Sequence, residues 1–273
     1  MIPAREIKDL YLQRAQSALK LVCGGSSAGG EFPKFTAARS LPTAATPHVI
    51  FKFSGIEQTG AARRWADLLV CEHLTMQAIC KIQGHASARS RIIQTGVRTF
   101  LESERFDRIG EYGRSAVVTL SVVEAALIGA GPKAWPTVLQ SVAAAPFFRL
   151  DVIDRVEELW WFGRFIANTD MHHGDLSLLP HGNGFQLAPA NDMLPMQYSP
   201  LRGGDLPEVA YALQELPLPR RGSEDRWKAV LNSAISFWRE ASRDERISDP
   251  FRESCASNGQ SLEQWADTWS AAV

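Results

Sequence analysis

The chain has 273 residues, of which 45% are hydrophobic and 22% are charged, enough apolar material for one large core or two smaller ones. This composition excludes a disordered protein. The 29 Lys and Arg residues and 30 Asp and Glu residues leave a net charge of -1, so no global positive field attracts nucleic acid or anionic lipid. The longest apolar stretch, residues 115–130, is shorter than the roughly 20 residues of a membrane-spanning helix. We expect a soluble protein that binds neither membranes nor nucleic acid directly.

The cysteine pattern and the N-terminus predict the cellular compartment. The four cysteines, Cys23, Cys71, Cys80 and Cys255, form no Cys-x-x-Cys pair, and a core of this size needs no disulfide, so we expect reduced thiols. Residues 1–9 carry charges where a secretory signal would be apolar. The predicted location is the cytoplasm.

The first part of the chain has the elements of a small mixed lobe. Residues 3–20 have the apolar spacing of an amphipathic helix, and residues 23–34 form a loop rich in glycine and serine, whose backbone amides can turn toward a ligand. Residues 49–53 predict a buried strand that carries Lys52. Residues 61–80 lack glycine and proline and predict a helix.

Two further strand patterns complete this lobe, and the rest of the chain is mainly helical. The strand patterns lie at 91–93 and 97–101, and we place the small α+β lobe at residues 1–103 and the helical lobe at 104–273. The helices predicted in the second lobe cover residues 121–130, 151–168, 227–238 and 261–272, with a short linker at 217–223.

Four polar features stand where an ordinary globular protein seldom has them. They are Lys52 inside a strand, Glu72 on the apolar helix, the run 168–175 with its two aspartates, and Asp192. Phosphoryl transfer needs a lysine on the phosphates, a divalent metal held by oxygen ligands, and a carboxylate that orients the attacking hydroxyl. The sequence contains all three kinds of group.

The loop 168–175 presents Asp170 and Asp175 close to a predicted hairpin. Residues 176–188, with Gly182-Asn-Gly184 as the turn, would return Asp192 to the same cleft. Carboxylate oxygens of this kind suit magnesium.

Five ordered motifs resemble the C-terminal kinase portion of the HipA-like serine/threonine kinases, the toxins of bacterial toxin–antitoxin systems. The resemblance implies an α+β, two-lobed, protein-kinase-like fold that uses ATP and Mg²⁺. The motifs are Ser26-Ser-Ala-Gly-Gly-Glu-Phe-Pro-Lys-Phe35, Ile50-Phe-Lys-Phe53, Glu104-Arg-Phe-Asp-Arg108, Asn168-Thr-Asp-Met-His172 and Leu187-Ala-Pro-Ala-Asn-Asp192.

The resemblance also implies roles for the residues at the centre of the cleft. Asp170 matches the catalytic aspartate, and Asp175 and Asp192 match the two metal-binding positions. Lys52 matches the lysine on the α- and β-phosphates. We consider Glu72 a candidate partner of Lys52, although the helix carboxylates Glu72 and Asp67 are equally typical of a solvated face.

Further matches lie at the edge of the cleft. Glu104 and Phe106 match the segment between the lobes that meets adenine, and Ser27 matches the loop serine whose autophosphorylation inactivates such kinases. Lys34 remains in the loop, where it is expected to contact phosphate, and His172 is expected to be a neutral contact beside the nucleotide. The resemblance further implies a protein substrate, such as an aminoacyl-tRNA synthetase, and an antitoxin partner.

The chain departs from the family pattern at four points. The second metal position is usually asparagine and here is Asp175, which adds negative charge and should still bind metal. Phe32 stands where the family has glutamine and Asn191 where it has tyrosine, which puts nucleotide binding in question. The usual N-terminal domain has no counterpart in this sequence, which leaves a trimmed chain, a split system or a minimal member as alternatives.

Three alternatives to a protein kinase remain open. A metallohydrolase would use His172 and His173, but adjacent histidines point apart and no third soft ligand has suitable spacing. A small-molecule phosphotransferase of the aminoglycoside or choline kinase type would use Asp175 as base, because residues 173–176 read His-Gly-Asp-Leu. In that register the metal ligand falls on Pro180, which has no side-chain oxygen. A nucleotide-binding regulator that has lost catalysis is the third.

Overall fold

The structure is a computed structural model that describes residues 6–22, 32–40, 44–56 and 59–272. The glycine-rich segment 23–31, with the predicted autophosphorylation site Ser27 and with Cys23, lies outside these residues. The cysteines within the described ranges, Cys71, Cys80 and Cys255, carry free thiols. No helix in these ranges is both long and apolar enough to cross a membrane.

The N-terminal part is built on a four-stranded antiparallel sheet of order β1-β2-β4-β3. Aromatic and β-branched residues fill its strands, as the sequence predicts. Lys34, which we expected in the loop, is instead the first residue of β1, because the ladder with β2 already begins opposite Lys52. The strands are β1 (Lys34–Ala38), β2 (His48–Phe53), β3 (Ser90–Gln94) and β4 (Thr99–Glu104).

Helix α1 (Ile7–Val22) covers one face of this sheet. The Tyr11 ring lies 3.9 Å from the ring of Phe51, in a buried cluster that also contains Phe53 and Phe100. Since successive side chains of a strand point to opposite faces, the same strand that sends Phe51 and Phe53 toward α1 sends Lys52 to the other face.

Helix α2 (Gly60–Ile79) covers that other face. It begins at the N-cap Thr59, whose hydroxyl accepts the N–H of Ala62 at 3.1 Å. Its side chains belong to the larger of the two hydrophobic clusters, which continues into the C-terminal helices through Trp227 and Trp238. The helix therefore joins the sheet to the rest of the molecule.

The C-terminal part is mainly helical, as predicted, around the central helix α5. The short helix α4 was not predicted, because Pro136 near its start and its few residues leave little helical periodicity. The last helix begins twelve positions before the predicted 261, since its first turns are polar. The helices are α3 (Leu120–Leu127), α4 (Trp135–Ser141), α5 (Leu150–Phe165), α6 (Glu224–Ala241) and α7 (Asp249–Ala272).

The predicted hairpin after α5 is present. Strands β8 (Ser177–His181) and β9 (Gly184–Leu187) pair antiparallel, with Gly182 in the turn at a φ of 56°. A short strand, β7 (Val118–Thr119), adds to β8. Another short hairpin, β5 (Arg108–Ile109) and β6 (Gly113–Arg114), follows β4. The β8–β9 hairpin brings the chain from the end of α5 back toward α2.

Candidate active site

Lys52 on β2 is the centre of a buried ion-pair network. Its ammonium lies 2.8 and 2.9 Å from the two carboxylate oxygens of Glu72 on α2 and 2.5 Å from Oδ1 of Asp192. The suggested pairing with Glu72 is thus confirmed, and Lys52 is not an edge-strand lysine with its head in water, because the residue is only 9% exposed.

Burial disfavours the ionised form of each group in this network, and the opposite charges of the neighbours favour it. Burial raises the pKa of Glu72 to about 7, although the ammonium of Lys52 acts in the opposite direction. Burial alone would lower the pKa of Lys52, but the carboxylates of Glu72 and Asp192 outweigh it and raise that pKa. Burial likewise opposes ionisation of Asp192, and the charge of Lys52 prevails and lowers the pKa of Asp192. An ionised carboxylate at position 192 therefore depends on the lysine.

Asp170 is held at the surface by the turn that ends α5. The backbone of Ala167 has a φ of 57°, and the side-chain oxygen of the buried Asn168 accepts the N–H of Asp170 at 3.1 Å. The Asp170 residue itself is exposed. An external hydroxyl group can therefore reach its carboxylate.

Asp175 lies deeper and next to His172. Its carboxylate accepts the backbone N–H of His172 at 3.1 Å and lies 3.2 Å from Nε2 of the same residue. Burial and the negative charge of Asp192 raise the pKa of Asp175 to about 8. His173 turns away, and its ring nitrogen contacts the Lys133 carbonyl at 2.7 Å.

The side chains of Lys52, Asp170, Asp175 and Asp192 line a common cavity of about 30 Å³. It brings together six residues that the sequence assigned to the site, although they come from four separate parts of the chain. The lining residues are Phe32, Lys34, Lys52, Asp170, His172, Asp175, Asp192, Leu194 and Met196.

A family model and a known bacterial toxin both match this chain. The model of the HipA-like C-terminal domain matches residues 26–258. Toxin YjjJ of Escherichia coli is 36% identical over 251 residues, which cover 92% of this chain. The chain belongs to the HipA-like C-terminal domain family. It spans 56% of the length of Toxin YjjJ.

Solved structures similar to this HipA-like chain include two bacterial proteins. HipA of Shewanella oneidensis, solved in a complex with HipB and operator DNA, has a TM-score of 0.46 and 16% identity, covering 80% of this chain and 56% of that one. The proinflammatory kinase CtkA of Helicobacter pylori has a TM-score of 0.54 and 11% identity, covering 80% of this chain and 84% of that one. The likeness to CtkA shows that the α+β fold is kinase-like.

Two predicted nucleotide-binding residues do not line the cavity. The carboxylate of Glu104, at the end of β4, accepts a hydrogen bond from Arg39 at 3.1 Å, and Phe106 packs against the larger hydrophobic cluster. Both lie at the junction between the sheet and the helical part of this HipA-like fold. Their contact with adenine stays a prediction, because neither residue lines the cavity.

Phe32, one of the departures from the family pattern, lies directly beside Lys52. Its ring meets that of Trp65 edge-on at 4.7 Å and lies 5.9 Å from the ammonium of Lys52. The residue is 8% exposed. Phe32 therefore covers Lys52, and the remaining cavity is much smaller than the roughly 300 Å³ or more of typical ligand pockets.

The carboxylates of this HipA-like site are possible oxygen ligands for a metal. Within the described ranges, no cluster of three or more His, Cys, Asp or Glu side chains is able to hold a metal ion by itself. Asp175 and Asp192 offer two hard oxygen donors in one cavity, and Mg²⁺ commonly binds through one or two carboxylates plus substrate phosphates. The residues therefore fit a magnesium ion that arrives with phosphate, and not the three-ligand site of a metallohydrolase.

Asp67, like Glu72, does not lie on a solvated face of α2, which the sequence left open for both carboxylates. It is 2% exposed rather than solvated, and it accepts the backbone N–H and the hydroxyl of Ser248 at 2.8 and 2.6 Å. This contact ties α2 to the start of α7. Sequence spacing did not reveal it because the two partners are 181 positions apart.

Proposed function

We propose that the chain is an ATP- and Mg²⁺-dependent serine/threonine protein kinase of the HipA toxin type. The observation that carries this proposal is the ammonium of Lys52, bound by Glu72 and Asp192 in a cavity shared with Asp170 and Asp175. Phosphoryl transfer depends mainly on positioning the reactants and neutralising charge on the phosphates. A lysine, metal-binding carboxylates and a carboxylate that orients the hydroxyl provide both effects.

Lys52 would hold the phosphates of ATP. Glu72 keeps the ammonium in place through both of its oxygens, so that the lysine is already directed toward the cavity. Asp175 and Asp192 would hold magnesium, which when bound neutralises charge on the transferred phosphate.

Asp170 would accept or orient the proton of the attacking hydroxyl. Its exposure leaves room for a serine or threonine on a protein surface, and the hydrogen bond from its N–H to Asn168 fixes its backbone. Lys34 and His172 line the same cavity and would contact the nucleotide.

The small-molecule phosphotransferase is less well supported. In that register Pro180 would occupy the metal position, but it lies on β8 and lines an apolar cavity with Phe147 and Phe185. In addition, the carboxylate of Asp175 is already engaged by His172 rather than directed at solvent.

Regulation and partners extend the proposal by analogy with the family. We propose that Ser27 is autophosphorylated, that an antitoxin protein binds the chain, as HipB binds HipA in the Shewanella complex, and that the substrate is a cytoplasmic protein such as an aminoacyl-tRNA synthetase. Mass spectrometry after incubation with ATP and Mg²⁺ tests the first point. Phosphate found only at other residues would reject Ser27.

The kinase proposal is tested with purified protein, radiolabelled ATP and a bacterial lysate. Wild type should label proteins on serine or threonine, and Asp170→Asn and Asp175→Ala should abolish labelling, whereas Asp170→Asn should retain nucleotide affinity. Asp151→Asn is the matched control, since Asp151 is an exposed carboxylate paired with Arg149 in the first turn of α5, at the opposite end of that helix from Asp170. Label confined to small molecules would favour the alternative enzyme, and nucleotide binding without transfer would favour the regulator.

A further inference from the structure

The backbone of Asp192 adopts an unusual conformation. Its φ is 57°, in the left-handed region that non-glycine residues seldom occupy. Such a conformation persists only where surrounding contacts hold it. Because this backbone presents the carboxylate that binds Lys52 and that we assign to magnesium, the contacts around it set the direction of a metal-binding group.

The chain before Asp192 is held by backbone pairing. The N–H of Ala190 donates to the Ala86 carbonyl at 2.8 Å, and the Ala190 carbonyl accepts the N–H of Ala88 at 2.9 Å. Residues 86–88 belong to the connection that leaves α2. The approach to Asp192 is therefore attached to the C-terminal end of that helix.

The chain at and after Asp192 is held by side chains of α2 itself. The backbone of Asp192 faces the Glu72 carboxylate and lowers the pKa of that group. The hydroxyl of Thr75, one helical turn later on the same helix face, donates to the carbonyl of Met193. Thr75 is completely buried and Met193 is nearly so.

The Thr75 hydroxyl has a single proton, which the geometry assigns to Met193. The hydroxyl oxygen is within hydrogen-bond distance of two carbonyls, that of Met193 and, at 2.8 Å, that of Glu72. The Glu72 carbonyl lies inside α2, where helical N–H groups satisfy it. Losing the hydroxyl would leave a buried carbonyl next to Asp192 without this donor.

We propose that Thr75 is a positioning residue that directs the metal-binding carboxylate of Asp192 by holding Met193 against α2. This inference rests on the proposed function. One face of α2 therefore contacts both the lysine, through Glu72, and the carbonyl that follows Asp192, through Thr75. A change at Thr75 should therefore act on metal and nucleotide affinity, beyond its effect on stability.

The test compares Thr75→Val, which removes the hydroxyl, with Thr75→Ser, which keeps it. Calorimetric titration with ADP and MgCl₂ should show about tenfold weaker binding for Thr75→Val, as expected for one lost buried hydrogen bond, and near-wild-type binding for Thr75→Ser. Amide hydrogen exchange should be faster at Asp192 in Thr75→Val only. If valine does not fit and the variant fails to fold, Thr75→Ala deletes the hydroxyl without adding a carbon.

Ser233→Ala is the matched control. Ser233 on α6 is buried, and its hydroxyl donates to the carbonyl of Ala78 on α2 at 2.9 Å, away from Asp192. Loss of this hydroxyl should lower the melting temperature without changing ADP affinity or amide exchange at Asp192. Thr75→Val behaving like Ser233→Ala would overturn the proposal, as would equal losses in Thr75→Ser. If wild type binds no nucleotide, the kinase proposal fails, and the exchange rates alone then decide the role of Thr75.

Discussion

The two faces of the N-terminal sheet carry two buried charge networks of opposite character. On the α1 face, the Glu102 carboxylate accepts hydrogen bonds from Tyr11 and from the guanidinium groups of Arg39 and Arg91, at 2.7 to 2.9 Å. Arg39 also pairs with Glu104. Here two cations face two carboxylates, and this network lies apart from the cavity.

On the α2 face, the ammonium of Lys52 contacts both Glu72 and Asp192, and Asp175 adds a third carboxylate to the same region. The pKa of Asp175 is raised to about 8 by burial and by Asp192. A balanced network stabilises the sheet, whereas an excess of buried carboxylate creates a demand for a cation. The comparison therefore distinguishes a structural network from a site prepared for metal and phosphate.

The largest expected effect comes from breaking the balanced network. Glu102→Gln should lower the free energy of unfolding by about 3–5 kcal/mol, because the buried guanidinium of Arg39 and the partly exposed guanidinium of Arg91 lose this carboxylate. Urea denaturation measures this loss. The folded fraction should retain the phosphoryl-transfer rate, and a variant of normal stability would show that Glu102 is not the anchor of this face.

Breaking the unbalanced network should act on the reaction instead. Lys52→Met should reduce the phosphoryl-transfer rate at least about 100-fold, as expected when one preorganised electrostatic group is removed. Its effect on stability should be smaller than that of Glu102→Gln, because Glu72, with a pKa near 7, readily takes up a proton when its cation is lost. Lys81→Met, at an exposed lysine just after α2, is the control. Equal rates in both variants would contradict the assignment.

Replacing the phenyl ring that lies over Lys52 tests whether the α2 face of the sheet is the nucleotide site. Phe32→Gln should tighten nucleotide binding by up to about tenfold, since a ring that must move before phosphate reaches Lys52 lowers the affinity by the fraction of molecules in which it has moved. Phe32→Leu keeps an apolar cover and should bind as wild type does. Fluorescence titration with a labelled ADP measures both. Weaker binding by Phe32→Gln would mean that the phenyl ring supports the nucleotide rather than excluding it.

The smallest expected effect is at the edge of the balanced network. Tyr11→Phe removes the hydroxyl that donates to Glu102 at 2.9 Å and should cost about 1 kcal/mol of the free energy of unfolding. Because Arg39 and Arg91 remain on the carboxylate, catalysis should not change. Thermal denaturation checks the first expectation, and a loss above that of Glu102→Gln would exclude a minor role for this hydroxyl.

The sequence predicted more of the site than of its surroundings. Lys52, Asp170, Asp175 and Asp192 were identified because each is a polar residue in a strand, a tight loop or a hairpin exit where an ordinary protein has little use for one. The environment of Asp67 was left open, because periodicity places a residue on a helix but does not identify what packs against it. The short helix α4 was missed for lack of several turns of pattern.

Residue types, their order and their local periodicity determined the strand that carries the lysine, the hairpin that follows α5 and the family to which the chain belongs. The tertiary structure alone decided that Lys52 binds Asp192, 140 positions away, that Phe32 lies over that lysine, and that Thr75 holds the neighbouring carbonyl. Local backbone preferences act over a few residues, and burial and charge pairing depend on which surfaces meet when the chain folds.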